Sequence, residues 1–155
     1  MATKAELARE EARRKREFYA KLLGVVMEAT AEYTTHMQSK LDFKVRFTGR
    51  NRYIHFSVYG FKMNVLIYTK GQVVIQLEEM CHGEYEQQIY EYTDSTEEQE
   101  ACLAKLKEIM GFMIPLFTGD SIVDPHTFMD YVNDDLETAY KNVLQDWDKD
   151  KNFEE

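Results

Sequence analysis

The chain reads as an α+β protein: a long N-terminal helix, an antiparallel meander of about five strands, and two C-terminal helices packed on one face of the sheet. Three observations carry that reading. Apolar residues recur every three to four positions up to residue 41, every second position over 42–92, and every three to four positions again after Thr93. Turn signals interrupt the middle stretch at short intervals. The two prolines, Pro115 and Pro125, both lie in the final third, so nothing earlier carries the residue that breaks helices and ladders.

The first stretch is built from Ala, Glu, Arg, Lys and Leu, all strong helix formers. Ala5, Ala8, Ala12, Tyr19, Leu22, Val26, Ala29 and Tyr33 form its heptad-like stripe, with Lys15 and His36 in two polar slots. The early seam is alanine, which buries little area. Residues 1–17 are therefore expected to project as an arm, or to pair with a second copy. Arg13-Arg14-Lys15-Arg16 ahead of Leu22–Met27 imitates a secretory leader, but that apolar run is short and flanked by Lys21 and Glu28.

In the middle stretch Phe43, Val45 and Phe47 alternate with Lys44 and Arg46, and Ile54, Phe56 and Val58 with Tyr53, His55, Ser57 and Tyr59. Met63, Val65 and Ile67 form a third alternating run, Val73, Ile75 and Leu77 a fourth, and Tyr85 to Tyr92 a weaker fifth. Gly60-Phe61, Lys70-Gly71 and His82-Gly83 mark tight connections, which join antiparallel neighbours. Ser95-Thr96-Glu97-Glu98 is a capping box opening the next helix, which Pro115 is expected to kink or end. Asp124-Pro125 supplies an N-cap and N1 proline for a final helix whose buried stripe is Phe128, Val132, Leu136, Ala139, Val143 and Trp147. Residues 149–155 form a charged tail expected to fray. The whole, residues 1–155, reads as one domain.

A formal net charge of −9 argues against a general DNA binder. That charge is unevenly spread. Residues 40–70 carry seven basic and one acidic side chain, a net of +6, whereas residues 71–108 and 109–155 each sum to −8. The basic island is also aromatic. Lys44, Arg46, Arg50, Arg52 and Lys62 lie among Tyr53, His55, Tyr59 and Tyr68, the mixture that holds phosphate, stacks bases or anchors a protein partner. Asp130, Asp134 and Glu137 share one side of a continuous last helix and form a candidate acidic face.

No catalytic signature is present: no glycine-rich phosphate loop, no H-E-x-x-H, no G-x-S-x-G. His55, with Arg46, Arg52 and Tyr53, is the best candidate for a small anion site. Glu78, Glu79, Cys81, His82 and Glu84 cluster at a strand end but lack a second Cys/His pair at metal spacing, so no metal or cofactor is expected. The Asp146–Glu154 run lacks the glycine and closing glutamate of a calcium loop. Two cysteines make no disulfide framework and fit a reducing cytoplasm, and no apolar run approaches a membrane span. The expectation is a non-enzymatic, cytoplasmic module that binds a protein partner as adaptor, chaperone-like holder or inhibitor. Homodimerisation through the first helix or the sheet face accompanies it. The alternatives are a single-stranded nucleic-acid or nucleotide binder using the basic-aromatic face, and a small enzyme acting on a phosphorylated ligand.

Overall fold

The structure, a computed structural model, describes residues 2–31, 42–46, 52–68, 70–93, 95–133 and 135–154, with side chains described over the same residues except 42 and 148–154. Helix α1 (Lys4–Ala31) leads into strands β1 (Asp42–Arg46), β2 (Arg52–Val58), β3 (Phe61–Ile67), β4 (Val73–Glu79) and β5 (Gly83–Tyr90), followed by α2 (Thr96–Thr118), α3 (Pro125–Tyr131) and α4 (Leu136–Glu154). The strands form one antiparallel sheet in the order β1-β2-β3-β4-β5, so each pairs only with its neighbours in sequence.

One face of that sheet makes the core. Ile54, Phe56, Met63, Val65, Ile67, Ile75 and Leu77 are buried there against Leu106, Ile109, Met110, Met113 and Phe117 of α2. Phe117 stacks on Phe61 at 4.7 Å and lies 5.6 Å from Phe56, which fixes the C-terminal end of α2 over the β2–β3 turn. Helix α1 packs beside α2 through Phe18, Tyr19, Leu22 and Val26, with Phe18 against Tyr90 of β5 at 4.8 Å. On the other flank Phe112 stacks on Tyr140 of α4 and approaches Phe128 of α3.

Three local outcomes refine the sequence reading. Residues 4–17 of α1 carry no buried side chain, and burial starts at Phe18, which the heptad stripe omits. Helix α2 runs through Pro115 and stops one turn later, where Gly119 adopts φ 84 and donates its N–H to the Pro115 carbonyl. The expected single last helix is two helices. Val132 leaves the helical region, and Asp135 then caps α4 by accepting from the Thr138 N–H at 2.7 Å. No helix among the described residues is long and apolar enough to cross a membrane.

Candidate functional site

The sheet face that no described helix covers is organised by the register. Lys44, His55, Asn64, Gln76 and Glu86 occupy one row across all five strands. The His55 Nδ1–H donates to Asn64 Oδ1 at 2.7 Å, and Gln76 Nε2 donates to Glu86 Oε1 at 2.5 Å, so the row is cross-linked side chain to side chain. The neighbouring row is Arg46, Tyr53, Leu66, Val74 and Gln88, with an apolar middle. The third is Asp42, Ser57, Lys62, Glu78 and Glu84. Of the described side chains in these rows, Val74 is buried, and Tyr53, Leu66, His55 and Asn64 are half-buried. At about 4.8 Å per strand, roughly 19 Å separates the basic β1 edge from the glutamates of β5.

This face gathers Lys44, Arg46, Tyr53, His55 and Lys62 from the basic island. It does not gather Arg52. Alternation along β2 turns Arg52 to the helix-covered side, where its guanidinium sits 4.9 Å from the Tyr19 ring centre. The anion site expected around His55 from Arg46, Arg52 and Tyr53 is therefore split between two faces. Tyr59 lies in the β2–β3 turn with φ 46, and Tyr68, exposed, opens the β3–β4 turn. Arg50 falls outside the described residues.

The acidic face also changes. Asp134 lies outside the described residues, and the break before α4 separates Asp130 from Glu137. Glu137 is half-buried with its Oε1 3.6 Å from Lys105 Nζ, beyond hydrogen-bond reach. Burial pushes its carboxyl above the ordinary carboxylate value, only partly opposed by Lys105. Asp130 turns instead to the end of the sheet.

There the fold assembles a group that the sequence leaves scattered. Glu79 ends β4, Cys81 and His82 form the turn into β5, and α3 brings up His126 and Asp130, one helical turn apart on one face. His82 Nδ1 pairs with Glu79 Oε2, and His82 Nε2 lies 2.5 Å from Asp130 Oδ1. His126 Nδ1 faces the other Glu79 oxygen at 3.4 Å, and the two imidazoles meet edge to face with centroids 4.7 Å apart. A ring with both nitrogens against carboxylate oxygens favours the imidazolium, so the His82 pKa is raised, chiefly by the Glu79 hydrogen bond and then by Asp130. The same hydrogen bond holds Glu79 below its ordinary value.

Beside this cluster lies a pocket of about 520 Å³, with Val58, Phe61, Leu116 and Phe117 in its apolar wall and Glu79 and His126 at its polar side. The sequence placed Glu79, Cys81 and His82 together and assigned Asp130 to an acidic face with Asp134 and Glu137; it missed His126 and the convergence of Asp130 on this cluster. The available signal was the H-x-x-x-D spacing right after a helix-opening proline, which aims two ligating side chains one way. The chain matches no protein-family model, and comparison with curated proteins and with solved structures gave no match to either.

Proposed function

We propose that the chain works by stoichiometric binding to a protein partner, as an adaptor, holder or inhibitor in a reducing, cytoplasmic setting, and that it engages the partner with the uncovered face of its sheet. One observation carries this reading: that face joins an apolar middle to opposite charges on its two sides. Tyr53 and Leu66 supply the middle, underlain by the buried Val74, with Lys44 and Arg46 on the basic side and Glu84 and Glu86 on the acidic side. A contact of this kind gains hydrophobic area at its centre and register from its charged rim.

The matching surface on the partner is apolar, with acidic groups along one side and basic groups along the other. A phosphate chain fits less well. A strand of nucleic acid following the rows would run from Lys44 onto Glu86, where like charge repels it.

The test uses the full chain as bait, with Leu66→Arg and Lys44→Glu/Arg46→Glu variants whose thermal unfolding matches wild type. The reading expects one protein retained at fixed stoichiometry by wild type, lost with Leu66→Arg, and weakened at least about tenfold by the double charge reversal. Equal retention by all three chains overturns it. So does salt-sensitive retention of single-stranded oligonucleotide that only the double reversal removes, since that outcome supports the nucleic-acid reading.

A further inference from the structure

We propose that the end of the sheet where β4 turns into β5 binds one divalent transition-metal ion, of the zinc type, through His82, His126 and Asp130. One candidate ligand atom from each of these residues lies within 4.8 Å of the others. Ligands sharing a zinc ion at about 2.0–2.1 Å stand roughly 3.3 Å apart, so small side-chain rotations close the site. Two imidazoles and one carboxylate suit zinc and its first-row neighbours, whereas calcium and magnesium select oxygen donors alone.

Glu79 makes this more than a chance meeting of polar groups. Its two oxygens face the Nδ1 atoms of His82 and His126, and its side chain is only 12% exposed. Nδ1 is thereby occupied in both rings, and Nε2 is the nitrogen left to each for an ion. Metal-binding histidines take this form, with the second nitrogen donating to a carboxylate that fixes tautomer and ring orientation. The Nε2 of His82 already faces Asp130. An ion entering there replaces the Nε2 proton between them, and that proton leaves to solvent.

A second set, Glu79, Cys81 and His126, also has its ligand atoms within 4.8 Å of one another. It shares His126 but would draw Glu79 away from the two imidazoles it orients, so the His82 set is preferred. His126 also lines the neighbouring pocket, which places the ion at the wall of a cavity of about 520 Å³.

The test titrates zinc into the chelator-treated full chain by calorimetry and follows the histidine ring nitrogens by NMR. The proposal expects one equivalent taken up with proton release, together with shifts of the His82 and His126 Nε2 signals while His55 on the sheet face stays unmoved. His126→Ala, at a side chain 57% exposed and so expected to fold, abolishes that uptake. Glu79→Gln leaves the stoichiometry at one but weakens affinity about 10–100-fold. Uptake unchanged by His126→Ala overturns the proposal, as does no uptake at micromolar zinc by a wild-type chain that folds. Uptake lost with Cys81→Ser but kept with Asp130→Asn also overturns it, and assigns the ion to the second set.

Discussion

Gly71 shows how much one missing side chain decides. It sits in the β3–β4 turn with φ 94, and a Cβ added there would stand 2.3 Å from the Tyr92 Cβ. The bare backbone lets the turn lie flat on Tyr92, over whose ring Lys15 of α1 places its ammonium at 4.5 Å. Gly71→Ala imposes both a left-handed strain and a steric overlap, and is expected to cost at least about 2 kcal/mol. Equilibrium denaturation measures it, and a loss under about 0.5 kcal/mol would mean that the turn simply shifts aside. The turn itself was readable from Lys70-Gly71. The contact with Tyr92 was not, because no local pattern reports which distant side chain a glycine makes room for. His126, and the meeting of Asp130 with His82, escaped for the same reason: a metal-type cluster is recognised by convergence in space, while the sequence displays only proximity along the chain.

Elements were more legible. Strand alternation and paired turn residues gave all five strands, and the Ser95 capping box gave the start of α2, where Ser95 Oγ accepts from the Glu98 N–H. The α3–α4 break was harder to see, because Phe128, Val132, Leu136, Ala139 and Val143 keep near-helical spacing straight through it. The clue lay in Asn133-Asp134-Asp135, residues whose side chains compete for backbone N–H groups. Asp135 takes the Thr138 N–H and Oγ1–H, and the backbone bond is the main cause of its lowered pKa. A depressed folded-state pKa contributes stability that is present above the ordinary value of 3.8 and is lost as pH falls through the folded value. Asp135→Ala should therefore cost about 1 kcal/mol at neutral pH, with the gap from wild type closing in strong acid. Denaturation midpoints of both chains from pH 7 down to pH 2.5 check this, and a gap that stays constant with pH would remove the carboxylate from the explanation.

Over the whole molecule the sheet has one buried face and one that no described helix covers, and adjacent residues of β3 report the two. Val65 is fully buried and Leu66 half-buried. Leu66→Arg is expected to change stability by less than about 1 kcal/mol, whereas Val65→Arg places an unpaired charge in the core and abolishes cooperative unfolding. Circular dichroism melts of both variants check the sidedness, and a Leu66→Arg chain as unstable as Val65→Arg would mean that the face is covered after all. The segment charges foretold the basic edge of this face. They could not foretell that Glu84 and Glu86 lie on it too, because register, and not composition, brings β5 alongside.

The strict neighbour-to-neighbour strand order bears on how the chain reaches this state. Each strand meets its partner across a short connection, so little loop-closure entropy opposes the pairing and contacts within the sheet are local. The layer that covers the sheet is the reverse: Phe18, Leu22 and Val26 precede it, while Leu106, Met110 and Phe117 follow it. During synthesis the five strands can assemble as they emerge, yet their apolar side lacks its central cover until α2 has left the ribosome. The vulnerable moment in the life of this protein falls between the emergence of Tyr90 and that of Phe117, when a nearly complete sheet still awaits its helix.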